Sequence, residues 1–186
     1  MNAQNMPFHS FKGLRLLALI FVTLAYSYWF TAHGPFGKLA TLAPGMPLEE
    51  AMYYTGAHAV SVLGQLDEAG RKAKYLSLAC DVPFMLLFTL MAEGLIAFGF
   101  RHLGLMGARW RLLFILPLAF LMFDFLEDSF LALTLATGSE ALGTVAGIMT
   151  PLKMFTFVPS MLVAIILGLS GLAVWLSGKS KLKKHN

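Results

Sequence analysis

The chain reads as an all-α integral membrane protein, a four-transmembrane-helix bundle with an extracytoplasmic amphipathic helix between spans one and two. Three observations predict this. Of its 186 residues, 58% are hydrophobic and 13% charged, with a mean hydropathy of +0.71, whereas a soluble domain carries about 25% charged residues. Four apolar runs, at about 14–32, 75–100, 112–135 and 152–176, are each long enough to cross roughly 30 Å of hydrocarbon as a helix. The basic residues gather at the ends of these runs, so the net charge of +4 reports topology and implies no nucleic-acid partner.

A chain of this size forms one domain, here a single transmembrane domain over 1–186. The first run follows Lys12 and is interrupted by Arg15. Its apolar character continues through Tyr28, Trp29 and Phe30, an interfacial aromatic belt that favours an uncleaved span over a signal peptide. The extracytoplasmic loop 33–74 opens with Gly34-Pro35, Gly37, Pro44-Gly45 and Pro47, turn formers that predict no regular element. Leu48-Glu49-Glu50 then supplies acids for a first helical turn, and Met52, Val60, Leu63 and Leu66 recur at helical spacing. This predicts an amphipathic helix from Ala51 to Leu66, lying at the membrane surface or capping the bundle, with Gly70 as a stop.

The second span carries Asp81 and Glu93, and Arg101, His102, Arg109 and Arg111 follow it. Glu93 lies within reach of those arginines and reads as one half of an interfacial ion pair. Gly138 to Thr150 reads as a Gly- and Thr-rich connection to the fourth span, and four lysines close the chain. Four spans put both termini on one side. That side holds nine basic residues and the other five, which places the termini in the cytoplasm by the positive-inside rule. A bacterial inner membrane is the expected location.

The third span sets the chemistry. Asp124, Glu127 and Asp128 interrupt an otherwise apolar stretch at i, i+3 and i+4, so all three project from one helix face. Each costs about 2.5 to 3.5 kcal/mol at a helix centre, and the fifteen Leu, Ile and Phe residues of Leu112 to Leu135 return roughly 5 to 9 kcal/mol. The segment is marginal alone and needs partners for its acids. On the fourth span Lys153, Thr156, Ser160, Ala164 and Gly168 share a face, polar at its outer end and small further in, which predicts packing against the acidic face. Lys74 shares a face with Asp81 and is a second candidate counter-ion. Tyr54 and His58 sit one turn apart on the outer helix.

These placements define an outward-facing ligand-binding pocket of Asp81, Asp124, Glu127, Asp128, Lys153, Thr156 and His58. Intramembrane ionisable residues mark ligand, ion or proton pathways, although ion pairs that only fix helix register are the plainer explanation. Three readings follow. The pocket binds a small cationic or amphipathic ligand or an ion; or the polar faces bind a membrane protein partner or a second copy, as in an accessory subunit; or the carboxylates perform acid/base chemistry on a lipid-like substrate. No cofactor and no metal are expected, because neither Glu-x-x-His nor His-x-x-x-His spacing occurs. Cys80 stands alone, which excludes an internal disulfide and a Cys-x-x-Cys pair. No Gly-x-Ser-x-Gly or phosphate loop is present. No family is assigned from these residues.

Overall fold

A computed structural model describes residues 13–42, 48, 51–105 and 107–178. Lys12, the turn formers Pro44, Gly45 and Pro47, the acids Glu49 and Glu50 and the C-terminal lysines lie outside the described residues. Among the described residues the regular structure is entirely helical: α1 (Gly13–Ala32), α2 (Pro35–Leu42), α3 (Gly56–Gly64), α4 (Glu68–Leu103), a 3-10 segment (Ala108–Phe114), α5 (Ile115–Thr137) and α6 (Glu140–Leu176).

Three stretches are long and apolar enough to cross a membrane: Gly13–Leu42, α4 and α6. Helix α5, with 23 residues, is shorter and carries its three acids near its centre. The four long helices alternate in direction. Thr23 Oγ1 of α1 donates to Leu87 O and Tyr26 OH to Cys80 O, so α1 runs antiparallel to α4. Thr89 Oγ1 of α4 reaches Pro117 O near the start of α5. Arg71, near the start of α4, donates through Nη2 to Leu135 O at 2.5 Å. A guanidinium there satisfies a last-turn carbonyl at the negative end of the α5 dipole.

Helix α1 buries Leu16, Thr23 and Phe30, seven residues apart, and turns Leu14, Leu17, Phe21 and Leu24 outward. Helix α4 is central and touches α1, α2, α5 and α6. Its lower half meets α5 and α6 through Met85, Phe88, Ile96, Phe100, Phe120 and Ala164. Outside this core, Leu118, Met122, Phe125, Phe155, Leu162 and Ile166 are exposed, a continuous apolar belt of a kind soluble monomers do not display.

The structure corrects four element assignments. Residues 35–42 are helical: Pro35 takes the first helical position, where its missing N–H costs nothing. Gly34 lets the turn close against the Phe30 backbone. The amphipathic helix is shorter than 51–66. It starts after Thr55, whose hydroxyl accepts from the His58 N–H at 3.2 Å, and ends at Gly64. Gly70 does not stop a helix; it lies in the first turn of α4, where its N–H donates to the N-cap Asp67 at 2.7 Å. Residues 140–150 are the first three turns of α6, capped by Ser139 after Gly138 adopts φ 69° at the end of α5. Glycines 143 and 147 serve close approach there: a Cβ at Gly147 would overlap the carbonyl of Tyr54, and one at Gly56 the carbonyl of Glu140. The segment before α3 therefore docks directly on the first turns of α6.

With 36 and 37 residues, α4 and α6 are about 54 and 56 Å long, well beyond a hydrocarbon core of roughly 30 Å. Their first turns, with α3 and the end of α5, form a cap held by Leu48, Tyr54, Ala59, Leu63, Leu78 and Leu131.

Candidate functional site

Helix α5 buries Pro117, Phe120, Asp124, Glu127, Asp128, Leu131, Thr134 and Leu135 and exposes Leu118, Met122, Phe125 and Leu133. The three acids therefore lie on the inward stripe of a 3.6-residue period, and the apolar residues between them face outward. Their neighbours come from three other elements. Lys153 of α6 places Nζ 3.1 Å from Asp124 Oδ1 and also pairs with Glu127 Oε2. One turn before it on α6, Thr150 Oγ1 donates to Glu127 Oε1 at 2.6 Å. Tyr54 OH donates to the same oxygen at 3.4 Å. Glu127 is fully buried, yet both of its oxygens are engaged, as a buried carboxylate requires.

Asp81 approaches from α4. One carboxylate oxygen from each of Asp81, Asp124 and Asp128 lies within 4.8 Å of the others, Asp81 being half-buried and the other two buried. Lys74, two turns before Asp81, is 2% exposed. The neighbourhood thus brings four carboxyl groups together with Lys153, with Lys74 buried on the same face of α4. Asp81 lies thirteen residues from the start of α4, Lys153 thirteen from the start of α6, and Asp124 thirteen from the end of α5. All three therefore sit at one level, about 20 Å from the starts of α4 and α6 and from the end of α5.

Of the seven residues expected to line the pocket, five converge: Asp81, Asp124, Glu127, Asp128 and Lys153. Two do not. Thr156 turns its hydroxyl onto its own helix, donating to Leu152 O and Lys153 O at 3.0 and 2.9 Å. His58 is exposed on α3; Tyr54, before the Thr55 cap, reaches the acids instead. Sequence reasoning missed Thr150, because the stretch around it read as a loop. A helical reading places Thr150 and Lys153 three residues apart on one face.

Two further expectations change. The small face of α6 does not pack on the acids along its length. Below Lys153 it turns to α4, where a Cβ at Gly168 would press on Leu95 and one at Gly171 on Gly99. Small residues on both helices permit that approach. Glu93, expected to pair with the loop arginines, is 3% exposed and makes no hydrogen bond or ion pair among the described residues. The expectation of no metal rested on spacing within single helices. The three aspartate oxygens come from two helices, a juxtaposition that linear spacing does not display, and an all-oxygen donor set suits a hard cation.

Comparison with protein-family models, with curated proteins and with solved structures finds no match to this chain.

Proposed function

We propose that this is a polytopic membrane protein with four crossing helices, whose buried carboxylate cluster binds a small cation at the base of its outer cap. The observation that carries the proposal is the approach of Asp81, Asp124 and Asp128 to within 4.8 Å of one another, beside a Glu127 already engaged by Lys153, Thr150 and Tyr54. Carboxylate oxygens gathered from two helices at this separation form a donor set that one small cation can bridge. Glu127 and Lys153 act as the fixed frame, and the three aspartates are the donors. Oxygen-only ligation favours a divalent hard cation or a primary ammonium group over softer metals.

Membrane placement is supported by the exposed apolar belt and by the three long apolar stretches. With its acids turned inward, α5 presents Leu118, Met122, Phe125 and Leu133 outward and serves as the fourth crossing. A cytoplasmic location for both termini gains support from the fate of the five basic residues assigned to the outer side. Arg71 caps α5, Lys153 is ion-paired and Lys74 is buried, so three of those five have structural roles within the bundle, and Lys38 and Lys72 are exposed.

The test is thermal unfolding of the detergent-purified protein in magnesium, calcium, manganese or methylammonium chloride, against choline chloride at equal ionic strength. Site binding predicts a saturable rise in melting temperature with at least one small cation, reduced in Asp128→Asn. If no small cation raises the melting temperature above the choline control, the cluster only fixes helix register and the proposal fails.

A further inference from the structure

A second site lies at the opposite end of α4. Between the start of α1, the end of α4 and the end of α6 is an open groove of about 530 Å³, within the range of small-molecule and lipid sites. Among the described residues, twelve of the fourteen that line it are glycine or apolar, the other two are Arg101 and His102, and none is acidic. Along α6 the groove runs from Ile165 to Trp175, ten residues or about 15 Å, which is half the thickness of a bilayer's hydrocarbon core. Its rim residues Leu14, Leu17 and Leu169 are 81%, 65% and 62% exposed, so it opens sideways, toward hydrocarbon, rather than only at the bundle's end. Arg101 lies twenty residues from Asp81 on α4, about 30 Å away, so the groove is separate from the carboxylate cluster.

We propose that this groove holds one acyl chain of an anionic phospholipid from the leaflet that surrounds the termini, with its phosphate against Arg101. The groove is as deep as one leaflet, apolar along its length and cationic only near the turn where α4 ends. That is the profile of a hydrocarbon chain carrying a negative head. His102, its ring tilted against Phe98 at 4.5 Å between centroids, closes the wall beside the guanidinium. Basic pockets between membrane helices on the side of the termini recognise anionic head groups by this same combination of charge and apolar wall. Gly168 in the floor keeps the groove open, since a side chain there would press on Leu95. The inference rests on the bilayer placement proposed above and is independent of the cation site.

Trp175 in the groove wall supplies the reporter. Trp29→Phe with Trp110→Phe leaves it as the sole tryptophan of three. The protein is reconstituted into phosphatidylcholine vesicles with rising fractions of brominated phosphatidylglycerol or brominated phosphatidylcholine. Half-maximal quenching of Trp175 should occur at a roughly fivefold lower mole fraction of the anionic lipid, the factor expected of one basic contact. Arg101→Gln should abolish the preference and Arg101→Lys should retain it. Identical quenching curves for the two lipids overturn the lipid site while leaving bilayer placement intact; quenching by neither lipid overturns the placement itself. Should the double tryptophan variant not fold, native mass spectrometry of the wild-type chain from mixed vesicles gives the same decision. One retained phosphatidylglycerol, lost in Arg101→Gln, supports the site, and equal retention of both lipids refutes it.

Discussion

Replacing Lys153 by methionine isolates the energetic centre of the molecule. The ammonium is 8% exposed and pairs with Asp124 and Glu127, themselves 3% and 0% exposed. Methionine keeps the length and apolar stem of lysine while removing only the charged head. Removing one partner of a buried ion pair costs about 3 to 5 kcal/mol, because the remaining charge is left in a low dielectric. The upper part of that range applies here, since one ammonium serves two carboxylates. Glu127 retains Thr150 and Tyr54 in the variant. For a chain of this size each kcal/mol moves the melting temperature by about 2 to 4 °C, so a loss of about 4 to 5 kcal/mol should make Lys153→Met unfold roughly 8 to 20 °C below wild type. Thermal unfolding in detergent, followed by circular dichroism in cation-free buffer, measures this directly. Adding Asp124→Asn and Glu127→Gln to Lys153→Met should recover most of the loss, because the uncompensated charges go with their partner. Lys153→Met should also show a larger cation-induced rise than wild type, since the cluster has become more negative. A Lys153→Met protein as stable as wild type, or a triple variant no better than the single one, would refute the reasoning.

Other substitutions separate the contributions around the same frame. Thr150→Val removes a 2.6 Å hydrogen bond to a buried carboxylate and should cost about 1.5 to 3 kcal/mol, whereas Tyr54→Phe removes one of 3.4 Å and should cost less than about 1.5 kcal/mol; the reverse order in the same unfolding assay would contradict the geometry. Gly147→Ala places a methyl group on the Tyr54 carbonyl, backbone against backbone, and should cost about 1 to 3 kcal/mol while exposing the segment before α3 to limited proteolysis. Unchanged protease resistance would show that this segment is not docked on α6. Glu93→Met replaces a buried carboxyl that lacks a partner among the described residues and should stabilise by about 1 to 3 kcal/mol. A clear loss of stability would mean that Glu93 holds a structural partner after all.

Much of the site was legible in the residues because its signal is local. Three acids at i, i+3 and i+4 in an apolar run can only share a face, and their cost in hydrocarbon requires that face to turn inward. Lys153 followed from the same demand for a counter-charge. The errors have a common origin in residues with two structural uses. Glycine and threonine between 138 and 150 read as a loop, yet Gly143 and Gly147 are helical positions emptied for a neighbouring backbone, and Thr150 is a hydrogen-bond donor to Glu127. Gly34-Pro35 read as a break and was also a helix start. The residues place Tyr54 and His58 one turn apart, but the Thr55 cap sets where α3 begins, and it is Tyr54 that reaches the acids.

The chain's composition and periodicity by themselves determined that it is helical, that it holds long apolar runs, and which face of α5 must be covered. These are properties of single helices, where each residue's place follows from the 3.6-residue repeat and its own solvation free energy. Tertiary structure alone decided that Asp81 joins Asp124 and Asp128, that Tyr54 and Thr150 complete Glu127, that α6 gives its small face to α4, and that a groove opens beside Arg101. Each depends on the rotation and offset of one helix against another. Those are set by packing summed over many side chains, and no spacing within one segment records them.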